Sequence, residues 1–114
     1  MKQKITIIED NKDMSELIKT FLSDDGFETV QYFSAESALE GFEKDNTDLF
    51  ILDINLPGMN GFDFLTELRK IGTNVNQIAR ACNSGEISNP NLVVFQRELK
   101  NIWQSLKSKP PKEI

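Results

Sequence analysis

The chain contains no histidine, a single cysteine and no long run of apolar residues, and each absence excludes a class of protein. Without histidine there is no Ser/His/Asp or Cys/His catalysis and no histidine metal site. A lone cysteine, Cys82, rules out a disulfide framework. No apolar run approaches the roughly 18 residues that a membrane span needs, and the opening MKQKITIIEDN reaches two acids too early for a signal peptide. These features predict a soluble, cytoplasmic protein with no membrane partner.

Charge divides the chain into two parts. The 114 residues correspond to about one small domain and carry a net charge of −5. The residues up to Lys70 carry a net charge of −8, whereas the remainder carries +3. We therefore expect an acidic part at 1–70, a separate tail at 71–108 and a frayed terminus at 109–114.

In the acidic part, short apolar runs alternate with helical periods. ITII, ETVQYF and DLFILDI read as strands, and an i, i+3, i+4 apolar stripe follows the first of them. Asp13 is the predicted N-cap of that helix, with Glu16 completing a capping box, and Ser34 is the predicted N-cap of the next helix. Such alternation predicts an α/β fold with a parallel sheet and right-handed crossovers.

Acidic residues stand where two of these strands end. Glu9 and Asp10 follow the first strand, and Asp53 lies near the end of the third, in LFILDINLPGMNG. If these strands are neighbours, as in the order 2-1-3, their backbones lie about 4.8 Å apart. Two carboxylates about 5 Å apart repel by roughly 3 kcal/mol at an effective dielectric of 20. Either a raised pKa or a divalent cation such as Mg²⁺ must offset that repulsion.

ITIIEDN, LFILDINLPGMNGFDFLTELRK and the spacing between them resemble the first three-fifths of a response regulator receiver domain, over residues 1–70. The resemblance implies a flavodoxin-like fold and a phosphoacceptor of two-component signalling that is not itself an enzyme. It implies that Asp53 accepts a phosphoryl group from the phosphohistidine of a sensor histidine kinase. It also implies that Asp10, Asp53 and the Asn55 carbonyl hold Mg²⁺, with Glu9 assisting through water.

The resemblance stops before a receiver would be complete. A receiver continues into a fourth strand ending in Ser or Thr and a fifth ending in Lys before Pro, and neither strand is recognisable here. We therefore expect a truncated receiver with a three-stranded parallel sheet. Its third strand would be an exposed edge, covered by a helix at 92–106 or by self-association with a second chain. Mg²⁺ binding would be weaker than that of a complete receiver and phosphorylation of Asp53 slow or negligible, with no large conformational response.

The tail reads as a helical hairpin. Two apolar stripes at helical spacing predict its helices, which contain Val75, Ile78, Ala79 and Cys82 in the first and Leu92, Phe95, Leu99, Ile102, Trp103 and Leu106 in the second. Gly85 is placed to end the first helix.

LRKIGTNVNQIARACNSG resembles the accessory proteins of plasmid and transposon mobilisation, over residues 68–106. This second resemblance implies a chimera and an alternative function, that of a relaxosome-type DNA-binding or interaction module. Five tail residues would then contact DNA, namely Asn76, Gln77 and Arg80 on a polar helix face and Arg97 and Lys100 at the phosphates. The net charge of −5 argues against binding of bare DNA by the whole chain.

Overall fold

The structure is a computed structural model, and it describes residues 3–80, 89 and 91–97. The elements are β1 (Lys4–Ile8), α1 (Lys12–Asp24), β2 (Glu28–Tyr32), α2 (Ala35–Asp45), β3 (Leu49–Asp53), α3 (Gly61–Lys70), β4 (Val75–Arg80) and β5 (Leu92–Arg97). Among these residues, no helix is long and apolar enough to cross a bilayer.

The strands form one sheet in the order β2-β1-β3-β5-β4. β1 pairs in parallel with both β2 and β3, which confirms the α/β class and the predicted order 2-1-3. β5 is antiparallel to β3, and β4 is antiparallel to β5. The prediction of a three-stranded sheet was therefore wrong, because the sheet has five strands.

The predicted helical hairpin was also wrong where the structure describes it, because residues 75–80 and 92–97 are strands. β5 lies along the edge of β3 that was expected to be exposed, and Phe50 and Phe95 are paired in its register. A strand edge carries unpaired N–H and C=O groups, and a second strand satisfies them, whereas a helix would only cover them. β3 is thus paired on both sides and offers no edge for self-association. The rest of the predicted helix, 98–106, lies outside the described residues.

Helices cover both faces of the sheet. α2 and α3 pack against one face, where the buried rings of Phe42, Phe50 and Phe64 meet. α1 packs against the other face, where Ile18 meets Ile7 of β1 and Leu92 of β5. The hairpin of β4 and β5 therefore contributes to both cores, and it belongs to the same folded unit as the first three strands.

Each described helix begins at a polar side chain that accepts a backbone N–H. Ser34 caps α2 as predicted, and Asn60 caps α3. The predicted N-cap Asp13 was wrong, because Asn11 caps α1 and its Oδ1 accepts the N–H of Met14 at 3.0 Å. α1 therefore begins two residues earlier than predicted, immediately after the acidic pair at the end of β1.

Candidate functional site

Three acidic side chains meet at the carboxyl ends of β1 and β3. Glu9 and Asp10 follow β1, and Asp53 is the last residue of β3. Ile8 pairs with Leu52, so the two strands end side by side. One carboxylate oxygen from each of the three acids lies within 4.8 Å of the others. The structure thus brings together the three acids that the sequence placed at strand ends.

Glu9 is the most enclosed member of this cluster, with 1% of its surface exposed. Its Oε2 accepts the N–H of Asn11 at 3.1 Å, and its Oε1 accepts the side-chain Nδ2–H of Asn89 at 3.0 Å. Burial raises the pKa of Glu9 to about 7; the Asn11 N–H opposes this rise, and the Asp53 carboxylate adds to it. Glu9 therefore changes its charge near neutral pH while the site is without a cation.

Asp53 is 5% exposed, and it is held in place by the loop that follows it. Its Oδ1 accepts the N–H of Asn55 at 2.9 Å, which fixes the plane of the carboxylate. Further along the loop, Glu36 of α2 accepts the N–H of Met59 at 3.2 Å. Asn55 stands two residues after Asp53, at an exposed position. That its carbonyl is a metal ligand stays a prediction.

Gly61, the first residue of α3, sets how closely this helix approaches the end of β3. Its N–H donates to the carbonyl of Ile54 at 3.3 Å, and a Cβ built at Gly61 would lie only 2.6 Å from the Ile54 Cα. The contact is with backbone, so a side chain at this position must displace either α3 or the segment following Asp53.

The change Gly61→Ala is therefore expected to lower the free energy of unfolding by about 1–3 kcal/mol, because the added methyl group overpacks the contact. Urea denaturation measures the loss. Thr66→Ala, at an exposed position of the same helix, is the control and should change stability by no more than about 0.5 kcal/mol. Equal stability of Gly61→Ala and the wild-type chain would contradict the close approach.

Sequence reasoning missed Asn89, which donates to Glu9 across 80 residues of chain. The available signal was the run Asn-Pro-Asn before LVVF, because asparagine followed by proline is typical of a turn. A turn at this point is compatible with a strand that starts at Leu92, which the structure shows. The amino end of that strand reaches the acidic cluster because β5 is antiparallel to β3.

The five residues predicted to contact DNA do not form one helix face. Asn76, Gln77 and Arg80 lie on β4, where successive side chains point to opposite faces of the sheet. Arg97 ends β5, and its guanidinium lies over the ring of Phe42, 5.1 Å from the centroid. The side chain of Arg80 and all of Lys100 lie outside the described residues. The predicted polar helix face was therefore wrong.

The acidic cluster fits a hard divalent cation. Mg²⁺ prefers oxygen ligands at about 2.1 Å in an octahedron, so two opposite ligands are about 4.2 Å apart. Carboxylate oxygens of Glu9, Asp10 and Asp53 lie within 4.8 Å of one another, close to this spacing, so the three acids are near enough to surround one ion directly or through water. A bound cation would also relieve the repulsion among three carboxylates, which burial strengthens.

Comparison with known proteins agrees with this geometry. The family model of the response regulator receiver domain matches residues 5–91, which is more than half of the chain. The chain belongs to this family. The receiver is 37% identical over 70 residues to the regulatory protein VanRc of Enterococcus gallinarum, a match that covers 61% of this chain and 30% of VanRc.

Solved structures of receivers are also similar. One is the response regulator protein TrrA of Thermotoga maritima in complex with Mg²⁺-BeF, with 36% identity, a TM-score of 0.58 and coverage of 61% of each chain. Another is the chemotaxis protein CheY4 of Vibrio cholerae, with 27% identity, a TM-score of 0.60 and coverage of 62% of this receiver and 59% of CheY4. These matches support the flavodoxin-like fold that the sequence predicted.

The extent of the matches bears on two further predictions. The receiver spans about 30% of the length of curated relatives such as VanRc, so the activity of such a whole protein is not assigned to this chain. The family match runs to residue 91 and enters the segment for which a resemblance to mobilisation proteins was predicted. That resemblance, and with it the chimera, is shown neither by the structure nor by these matches.

Proposed function

We propose that this receiver is a phosphoacceptor of two-component signalling, in which Asp53 takes a phosphoryl group from the phosphohistidine of a sensor histidine kinase. The observation that carries the proposal is the cluster of Glu9, Asp10 and Asp53 at the carboxyl ends of adjacent parallel strands, in a chain of the receiver family. In open α/β sheets, ligands bind beyond these strand ends.

We assign Asp53 the role of nucleophile, and its fixed carboxylate supports this assignment. The Asn55 N–H donates to Oδ1 and so holds the carboxylate in one orientation, and we assign Oδ2 to the new bond to phosphorus. As the Oδ2–P bond forms, the P–N bond of the phosphohistidine breaks and its electron pair returns to the imidazole. The reaction needs no general base, because Asp53 attacks as a carboxylate.

Asp10, Asp53 and the Asn55 carbonyl are the groups we assign to Mg²⁺, with Glu9 acting through water. When bound, the ion supplies positive charge that offsets the carboxylates and the incoming phosphoryl group. Glu9 suits an indirect role because each of its carboxylate oxygens already accepts an N–H, from Asn11 and from Asn89. Asp10 is exposed and accessible to the cation from solvent.

The antiparallel β5 gives a physical reason for slow transfer. A parallel neighbour of β3 would present its carboxyl end beside Asp53, which is where the family resemblance places a hydroxyl. β5 instead presents its amino end there, with Leu92 paired to Asp53. We therefore keep the expectation that Asp53 is phosphorylated slowly and that the response of the fold is small. A conformational switch needs a contact to the phosphoryl group that one conformation makes and the other does not.

Treatment with acetyl phosphate and Mg²⁺, followed by intact mass measurement, tests the proposal. We expect the wild-type receiver to gain the mass of one phosphoryl group over hours, and Asp53→Asn to gain none. Asp63→Asn removes an exposed carboxylate on α3 and should be labelled like the wild type. Labelling of Asp53→Asn to the same extent as the wild type, or no labelling of any variant, would reject the assignment of Asp53.

A further inference from the structure

The side-chain amide of Asn89 is held in a single orientation by its own backbone. Its Oδ1 accepts the N–H of Asn91 at 2.9 Å, and its backbone carbonyl accepts the N–H of Leu92 at 3.2 Å. Because the amide oxygen is engaged in this turn, the nitrogen must point the other way. The Nδ2–H that faces Glu9 is therefore determined by the turn itself.

This turn is also attached to the residues around Asp53. The N–H of Ile54 donates to the carbonyl of Asn91 at 3.1 Å, and Leu92 pairs with Asp53 in the sheet. The amide of Asn89 thus reaches the acidic cluster from a turn that is fixed to the end of β3, because Asn91 is hydrogen-bonded to Ile54 and Leu92 is paired with Asp53. A side chain mounted in this way can hold a neighbour at a defined place.

We propose that Asn89 is a positioning residue of the acidic cluster, which fixes the Glu9 carboxylate through its Nδ2–H and keeps the β5 side of the site free of further negative charge. The inference deepens the proposed function and rests on it, because it concerns the same cluster. Asn89 acts through Glu9 and is not itself a ligand of the cation. It is a neutral donor at a place where a fourth carboxylate would change both cation binding and the approach of an anionic phosphoryl donor.

A charge at position 89 should therefore affect these two steps in opposite directions. Asn89→Asp retains an oxygen for the Asn91 N–H, so the turn is preserved, but it replaces the donor to Glu9 by a carboxylate. We expect Mg²⁺ to bind about fivefold more tightly, because the cluster gains a negative charge. We expect labelling by acetyl phosphate to slow by about tenfold, because its phosphate is repelled. Loss of structure alone would instead weaken Mg²⁺ binding as well as slow the labelling.

Exchanging the donor and the acceptor tests the contact itself. Glu9→Gln alone should weaken Mg²⁺ binding, since it removes a carboxylate. Combined with Asn89→Asp, it restores the number of charges, and the glutamine amide can donate to the new carboxylate. We expect this double variant to bind Mg²⁺ within about twofold of the wild-type affinity.

Gln96→Glu is the matched control, because it adds the same charge at an exposed position of the same strand, where Gln96 is paired with Leu49 at the far end of β3. It should neither tighten Mg²⁺ binding nor restore the affinity of Glu9→Gln. Isothermal titration calorimetry with Mg²⁺ alone measures all six proteins, including the double variant of Glu9→Gln with Gln96→Glu, and urea denaturation verifies that each is folded.

The Mg²⁺ titrations do not depend on whether the receiver is phosphorylated. If the predicted affinities are found but the wild type takes no label, the role of Asn89 stands and the phosphoacceptor function fails. If the wild type is labelled but Asn89→Asp binds Mg²⁺ no more tightly than Gln96→Glu, the function stands and the role of Asn89 is overturned. Absence of Mg²⁺ binding by every variant also overturns it.

Discussion

Replacing Glu9 by glutamine is expected to favour the folded state increasingly as the pH rises from 5 to 8, by up to about 3 kcal/mol relative to the wild type. The reason is that burial raises the pKa of Glu9 from 4.5 to about 7. Below pH 4.5 the carboxyl is protonated in both folded and unfolded chains, and it adds no pH dependence. Between pH 4.5 and pH 7 the unfolded chain releases this proton while the folded chain retains it, so the stability of the wild type falls as the pH rises. Above 7 the full cost of the buried charge remains.

Urea denaturation at pH 5, 6, 7 and 8 without divalent cations measures this difference. The loss of one hydrogen bond to Asn11 or Asn89 shifts the stability of Glu9→Gln by a similar amount at every pH, so the slope with pH isolates the charge. Glu40→Gln is the control, because Glu40 is exposed on α2 and its carboxylate meets water in both states. A pH-independent difference for Glu9→Gln would show that Glu9 is not a buried charge.

Phe50→Ala is expected to lower the free energy of unfolding by about 3–5 kcal/mol, the range for removing a buried aromatic ring. Phe50, the second residue of β3, is 1% exposed. Its ring stacks on Phe42 at 5.7 Å and meets the edge of Phe64 at 6.0 Å, so it joins the helices of one face. It is also paired with Phe95, so the same change weakens the attachment of the β4–β5 hairpin.

Phe62→Ala is the matched control, because it deletes the same ring at a position that is 62% exposed. Its cost should stay below about 1 kcal/mol. Thermal or urea unfolding followed by circular dichroism compares the two variants. A loss of less than 1 kcal/mol for Phe50→Ala would mean that β3 does not lie at the centre of the core.

The first half of the fold and the acid cluster could be predicted because their determinants are local. Short apolar runs such as ITII and LFILD, bounded by turn residues, specify parallel strands whatever follows them in the chain. The carboxyl ends of adjacent parallel strands meet at one edge of the sheet. Glu9 and Asp53 could therefore be placed together from their positions at strand ends, and the structure brings them within reach of one cation.

The second half of the fold could not be predicted because its apolar residues fit both a helical pattern and a strand pattern. Val75, Ile78 and Ala79 fit a helical stripe, and LVVF at residues 92–95 fits either a buried strand or part of a helix. The open edge of β3 resolves the choice in favour of strands, and this edge exists only after the sheet has formed. Tertiary pairing thus outweighs the local pattern.

The sequence by itself determined the receiver family, the order of the first three strands and the three acids at their ends, because each depends on residues close in the chain. Only the tertiary structure decided that β5 runs antiparallel to β3 and that Asn89 reaches Glu9. The physical reason is that β3 must pair its remaining backbone groups, and the strand that does so brings its amino end to the acidic cluster.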